Sequence, residues 1–150
     1  MAAIQSHSTT NPSSISQAAA LEALTGPQDF IARHVAEFEK RRNMVVERLN
    51  TIDGLVCHTP EGAFYVFPCC AEFIGARRPD GGVIASDEEF VLYLMDHAGV
   101  GLVHGAAFGF PGYFRLSYAA STQRLEQGLE RIAAACADIE RVDTPAAVPA

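Results

Sequence analysis

Two long helical patterns, one near each end of the chain, limit the possible folds more than any other feature. One runs from Pro27 to about Ile52 and the other from about Ser121 to Arg141. In both, apolar residues recur at steps of three and four, which places them on one face of an α-helix. These residues are Ile31, Val35, Phe38, Val45, Leu49 and Ile52 in the first pattern, and Leu125, Leu129, Ile132, Cys136 and Ile139 in the second. Arg42 also falls within the first stripe, so the middle of that helix is expected to face a polar group.

Short β-rich runs and a further helix lie between these two helices. Ser86 and Glu89 have the spacing of a capping box, which predicts that a helix begins there and ends at Gly99. Near the N-terminus, Asn11-Pro12 predicts a short helix through about Leu24. The expected strands are 55–57, 63–67, 100–103 and 113–119, and 72–85 is expected to be a surface loop. The fold class is therefore α+β, with a small sheet covered on one side by helices and approached through one long helix.

The composition is that of an ordinary globular domain with an acidic balance. The chain has 150 residues and a formal net charge of -7, which opposes binding to phosphate backbones and anionic lipid. No stretch approaches the roughly 20 apolar residues of a membrane span. Residues 1–10 lack the basic and apolar regions of a secretory signal. No nucleic-acid or membrane partner is therefore expected, and a cytoplasmic location is the default.

The four cysteines form no recognisable framework. Cys69 and Cys70 are adjacent, Cys57 and Cys136 are scattered, and there is no CxxC pair. A zinc site made of Cys57, His58, Cys69 and Cys70 is one interpretation, and it would make the chain a cysteine-based redox or metal protein. Buried, reduced thiols are the simpler interpretation, and no metal is expected.

Arg115 is the residue most suited to carry a function. It stands in the middle of an expected strand whose alternation places Tyr113, Arg115, Ser117 and Ala119 on one face. A guanidinium at such a position needs water, an acid or an anionic ligand, and its fork can grip a carboxylate with two parallel hydrogen bonds. The alternative is an arginine that reaches solvent or pairs with Glu61 or Asp87.

A glycine-rich run, residues 105–112, precedes this strand. It lacks the lysine and serine of a P-loop and the spacing of a dinucleotide fingerprint, so a tight loop that shapes a pocket wall is expected. His104 could act as a general base, although no residue at fixed spacing completes a triad with it. The hydroxyls of Ser6, Ser8, Thr9 and Thr10 could contact an anion, or could simply cap and turn the chain.

Three segments together resemble class I aminotransferases that depend on pyridoxal phosphate, particularly bacterial aspartate aminotransferases. They are the opening run 5–19 (QSHSTTNPSSISQAA), the strand 60–68 (PEGAFYVFP), and Gly105-Ala106-Ala107-Phe108-Gly109 leading into 113–119 (YFRLSYA). The resemblance implies the small C-terminal domain of the fold type I transferases for residues 27–143, including the long linking helix. It also implies a remnant of the large cofactor-binding domain at 1–26 and a disordered tail at 144–150.

The same resemblance implies roles for individual residues. Arg115 would bind the substrate α-carboxylate, and Phe64 would line the active-site side of the small domain. Ser8 or Thr9 would lie in the loop that approaches the cofactor phosphate of the neighbouring subunit. The implied enzyme is a homodimer that uses pyridoxal phosphate to transfer an amino group between an amino acid and a 2-oxo acid. Aspartate with 2-oxoglutarate is the expected pair, and aromatic or broad specificity stays open.

The sequence departs from the family in one respect that affects chemistry. Transamination requires a lysine that forms an aldimine with the cofactor, yet Lys40 is the chain's only lysine and lies in a charged helical run. Met1 therefore looks like an internal start, and the isolated chain is expected to be inactive and sticky. The alternative function is a non-catalytic small-molecule-binding or dimerisation module derived from the same fold.

Overall fold

The computed structural model describes residues 2–8 and 11–141. The chain divides into two compact units, Met1–Ala36 and Glu37–Ala150. The expected tail at 144–150 lies outside the described residues. Within the described residues, no helix is both long and apolar enough to cross a membrane.

The first unit contains helices α1 (Ala2–Ser8) and α2 (Ser14–Thr25) and the beginning of α3 (Asp29–Asn50). The expected start of α2 at Asn11-Pro12 was wrong, because Ser13 has an extended backbone (φ -56°, ψ 138°) and the helix begins after it. Its end at Thr25 agrees with the expected stop, since Gly26 is again extended. None of the residues of α2 is buried.

The second unit is built on a three-stranded antiparallel sheet in the order β1-β3-β2. The strands are β1 (Tyr65–Val66), β2 (Val103–His104) and β3 (Phe114–Ser117), each shorter than the sequence predicts. The run 55–57 forms only an isolated bridge, between Val56 and Cys69. The Asn50 side chain takes the place of a neighbouring strand there, because its amide donates to the carbonyl of Cys57 and accepts from its N–H.

Helices α4 (Asp87–Ala98) and α5 (Thr122–Ala137) pack with the C-terminal half of α3 to form the core of this unit. Half of the expected capping box is confirmed: Ser86 Oγ accepts from the N–H of Glu89 at 3.2 Å, whereas the Glu89 carboxylate accepts from the N–H of Ala85 at 2.8 Å and not from that of Ser86. Gly99 then ends α4 in a left-handed conformation. The buried side chains include Val45, Leu49, Phe90, Leu94, Phe114, Leu116, Leu129 and Ile132. The α+β class is thus confirmed.

The segment 72–85 is not the surface loop that its polar residues predict. Phe73, Ala76 and Ile84 within it are buried, and the Phe73 ring stacks on Phe90 at 4.9 Å. Arg77 exchanges two backbone hydrogen bonds with Glu140, both at 2.9 Å. The segment forms part of the core because its few apolar residues pack inward while its charged residues stay at the surface.

Candidate functional site

Strand β3 places Arg115 on the face of the sheet opposite the core. Its neighbours Phe114 and Leu116 are buried, whereas Arg115 is half-buried and Ser117 is exposed. The paired residue on β2 is Val103, and Tyr65 of β1 pairs with Ser117. The alternation expected from the sequence is therefore confirmed along this strand.

Two aromatic rings lie against the Arg115 guanidinium. Its central carbon is 5.5 Å from the centre of the Tyr65 ring and 4.9 Å from the centre of the Phe108 ring. A guanidinium within about 6 Å of an aromatic face is attracted by the ring quadrupole. Both rings therefore help to hold the guanidinium in place on this face of the sheet.

No carboxylate of the described residues forms an ion pair with Arg115. The alternative partners do not lie at salt-bridge distance: Glu61 is exposed, and Asp87 is buried and bonded elsewhere. A guanidinium carries five N–H donors, and among residues 2–8 and 11–141 no protein group accepts a hydrogen bond from them. The site can therefore accept an external anion without breaking an existing ion pair.

The glycine-rich run forms the turn that carries Phe108. Its first part is a 3-10 turn, Gly105–Phe108, followed by Gly109 in a left-handed conformation (φ 75°). Gly105 is required by close packing, since a Cβ atom there would overlap the Phe110 carbonyl oxygen. The rings of Phe108, Phe110 and Tyr113 all contact Phe67. The expected pocket-wall loop is thus an aromatic cluster beside the arginine.

The segment that carries Tyr65 begins with a strained residue. Ala63 has φ 65°, the only positive φ of a non-glycine residue in the described part of the chain. The buried Tyr118 side chain donates its hydroxyl to the Ala63 carbonyl at 3.0 Å, and the Tyr118 N–H donates to the Phe64 carbonyl at 2.8 Å. A left-handed alanine persists only where surrounding contacts hold it. This strain could not be predicted from the sequence, because alanine has no preference for a left-handed conformation.

The remaining candidates lie apart from these contacts. Phe64 is 55% exposed and packs edge-on against Tyr65, but its ring is not one of the two that contact Arg115. Ser8 is exposed at the end of α1 in the first unit, and Thr9 lies outside the described residues. His104 lies on β2 opposite Phe114, and its buried Nδ1 has no partner among the described residues.

The four cysteines are buried free thiols. Burial raises the pKa of Cys57 to about 11 and that of Cys136 to about 12, and it raises the pKa of Cys70 further still. Thiols with raised pKa values are poor nucleophiles and poor metal ligands. Within the described residues, no group of three or more His, Cys, Asp or Glu side chains is placed to hold a metal ion.

Comparison with known proteins shows that the chain is similar to bacterial aspartate aminotransferases. The chain is 52% identical over 136 residues to an aspartate aminotransferase of Rhizobium meliloti (strain 1021), covering 91% of this chain and 33% of that protein. It is 50% identical over 133 residues to a probable aspartate/prephenate aminotransferase of Rhizobium leguminosarum bv. phaseoli, covering 89% and 33%. The crystal structure of the Rhizobium meliloti aspartate aminotransferase superimposes with a TM-score of 0.89 at 50% identity, covering 93% of this chain and 35% of that one.

The chain spans about a third of the length of the relatives it matches. A family model described as aminotransferase class I and II matches residues 1–132. The three segments that carry the resemblance all fall inside these matched residues. The chain belongs to the class I and II aminotransferase family.

Proposed function

We propose that the chain provides the α-carboxylate-binding part of an aminotransferase of the aspartate and 2-oxoglutarate type. The supporting observation is the Arg115 guanidinium, which is held on a strand beside two rings and has no anionic partner among the described residues. A planar fork with free N–H edges suits a carboxylate better than a single ammonium would. Phe64, exposed beside Tyr65, would lie next to the bound substrate.

The proposal extends to the organisation of the chain. Residues 27–143 would form the small domain, with α3 as the helix that links it to the large domain, and residues 1–26 would belong to the large domain. Ser8 and Thr9 would approach the cofactor phosphate of a neighbouring subunit in a homodimer. Since the chain spans about a third of its relatives' length, amino transfer itself is proposed for a protein that also has the other two thirds.

Enzymes of this family generally use pyridoxal phosphate, which supplies an electron sink for chemistry at the substrate α-carbon. The residues of this chain do not fit the attachment of that group. Attachment needs a lysine in a pocket beside the substrate site, and the only lysine, Lys40, is exposed on α3 among charged neighbours. The role proposed for this chain is therefore substrate binding, with no chemical step assigned to its own residues.

The substrate class follows from what Arg115 can recognise. An α-carboxylate is common to amino acids and 2-oxo acids, so Arg115 would grip every substrate and distinguish few of them. The relatives bear the names aspartate aminotransferase and aspartate/prephenate aminotransferase, and on that basis we assign dicarboxylic substrates. The rings of Tyr65 and Phe108 beside Arg115 could also contact an aromatic substrate.

The second candidate is a non-catalytic module that binds a small carboxylate or forms dimers. It is favoured by the exposed position of Lys40, which gives this chain no attachment point for the cofactor. The two candidates differ in one measurable respect. A binding module would hold a dicarboxylate but would not support turnover when joined to the rest of an aminotransferase.

A chimeric enzyme distinguishes them. In this chimera the whole chain replaces the aligned third of the Rhizobium meliloti aspartate aminotransferase, to which it is 52% identical. We expect aspartate turnover, and we expect Arg115→Ala to lower kcat/KM by about 100-fold or more, since one bidentate charge-assisted pair contributes on the order of 3 kcal/mol. Arg115→Lys keeps the charge but not the fork and should recover only part of the loss. Arg124→Ala, at an exposed arginine of α5, is the control.

A folded chimera without turnover favours the binding module. Unchanged kinetics in Arg115→Ala would show that Arg115 is not part of the substrate site.

A further inference from the structure

Asp87 is a buried carboxylate with no ion pair among the described residues. Asp87 is only 3% exposed. Burial of a charge without a compensating partner is unfavourable. It is the first residue of α4, where the helix dipole stabilises negative charge. That dipole explains how the carboxylate is tolerated but does not explain why a carboxylate is there.

One oxygen of Asp87 has a specific partner. Oδ2 accepts a hydrogen bond from the backbone N–H of Ala106 at 2.7 Å, a short distance typical of a charge-assisted bond. Ala106 lies in the 3-10 turn Gly105–Phe108, and the first N–H groups of such a turn have no partner inside it. Asp87 therefore caps this turn from another element of the fold.

Two further backbone hydrogen bonds hold the same turn. The N–H of Gly105 donates to the carbonyl of Tyr113 at 2.7 Å, and the N–H of Phe110 donates to the carbonyl of Gly105 at 3.0 Å. With Asp87 capping Ala106, the backbone on both sides of the turn is bonded, and the Phe108 ring is carried against Arg115 at 4.9 Å. Phe108 is 51% exposed, so packing against the core does not hold it in place.

We propose that Asp87 is a positioning residue: through its bond to Ala106 it holds the turn that keeps Phe108 on the Arg115 guanidinium, and so orients that group for the carboxylate. This inference rests on the proposed function of Arg115 for its consequence, but the hydrogen bond and its effect on the turn stand without it. The acceptor oxygen carries the role, so an amide at the same position retains most of it.

The first test measures the turn directly. Hydrogen exchange of peptides covering residues 105–112 is followed in the full 150-residue chain for Asp87→Ala, Asp87→Asn and the control Leu129→Ala, which destabilises the core at a buried residue of α5. Loss of a charge-assisted bond should speed exchange in this segment by about tenfold or more in Asp87→Ala, relative to peptides of α5. Asp87→Asn should stay near the wild type. Equal exchange in Asp87→Ala and Leu129→Ala overturns the proposal.

A second variant covers the case in which Asp87→Ala does not fold. Ala106→Pro removes the donor and leaves Asp87 in place, and proline is tolerated in the first turn of a helix. Faster exchange of residues 107–112 in this variant supports the proposal, because the Ala106 N–H that donates to Asp87 is lost while the carboxylate remains. Wild-type exchange there contradicts it.

The second test separates positioning from simple loss of stability. In the chimeric enzyme, Asp87→Ala should raise KM for aspartate several-fold with a smaller change in kcat, because the lost orientation affects binding in the ground and transition states alike. Leu129→Ala should lower the active fraction without changing KM. If Arg115→Ala leaves the KM for aspartate unchanged, the proposed function fails, while the exchange result still decides the role of Asp87. If Arg115→Ala raises KM but Asp87→Ala does not, the positioning role of Asp87 fails and the proposed function of Arg115 stands.

Discussion

The Arg115 guanidinium carbon lies 4.9 Å from the centre of the Phe108 ring, and the two side chains come from different elements of the second unit. The strand fixes the base of the arginine, whereas the ring comes from the Gly105–Phe108 turn. The orientation of the cation therefore depends on a turn as well as on the sheet. Substitutions in the turn should alter binding even though the turn contributes no charge.

Phe108→Leu is expected to raise KM for aspartate in the chimeric enzyme about two- to fivefold, since a partly exposed cation–π contact contributes roughly 0.5–1 kcal/mol. Phe110→Leu is the matched control, because Phe110 has a similar exposure and contacts Phe67 and Tyr113 but not Arg115. Steady-state kinetics measures the difference. Equal effects of the two substitutions would mean that general apolar surface, and not the ring over Arg115, matters.

Ser86→Ala is expected to lower the free energy of unfolding by about 1 kcal/mol, because the N–H of Glu89 loses its capping acceptor. Ser13→Ala is the control, since Ser13 stands at the same position of α2 but makes no side-chain capping bond. Urea denaturation followed by circular dichroism measures both. A loss of stability in Ser13→Ala as large as that in Ser86→Ala would contradict the assignment.

Stability should fall as the pH rises above 9. Burial raises the pKa of Cys57 to about 11 and of Cys136 to about 12 from an ordinary 9.0, so the folded chain keeps protons that the unfolded chain releases. This stabilisation is fully present below pH 9 and is lost as pH rises through the folded values, at up to about 1.4 kcal/mol per pH unit for each thiol. Urea midpoints between pH 8 and 11 test the trend. Cys136→Ala should show a shallower decline, and an identical decline would exclude Cys136 as its source.

The isolated chain should associate as its concentration rises. Helix α2 buries no residue, and its large apolar side chains Ile15, Leu21 and Leu24 are 80%, 64% and 81% exposed. Exposed apolar clusters promote association. Sedimentation velocity should therefore show larger species that decrease when Ile15 and Leu24 are both changed to Gln. Ser16→Gln adds the same side chain to α2 without removing an apolar one and should change nothing. A monomeric wild type at all concentrations would refute this prediction.

Helices were well predicted from the sequence because their signals are local. The N-cap bond of Ser86 and the left-handed Gly99 lie within one segment, and both are found where expected. Strand lengths were overestimated, since a β-rich run does not specify its partner. The apolar residues Leu55 and Cys57 are buried in the core but form no strand. The backbone groups of Cys57 bond to the Asn50 side chain instead of to a neighbouring strand.

The site was predicted only in part, because a local sequence pattern does not specify contacts between distant segments. Arg115 could be selected because a charged side chain in the middle of a strand needs water, an acid or an anionic ligand, and because the resemblance to aminotransferases assigns that position a role. Its ring contacts with Tyr65 and Phe108 could not be derived, since they depend on how β1 and the turn meet β3. Asp87 was considered only as an ion-pair partner of Arg115, and its actual partner is a backbone N–H that no sequence pattern marks.

The alternation on β3 has a consequence for how this family could diversify. A slip of the strand by one residue would turn Arg115 into the core and expose Phe114 and Leu116, so a variant that keeps Arg115 and still folds presents the same cation outward. The exposed rings of Phe108 and Phe110 are under no such constraint. New ligand preferences can therefore arise by exchange of those rings, while the grip on the carboxylate is inherited with the fold.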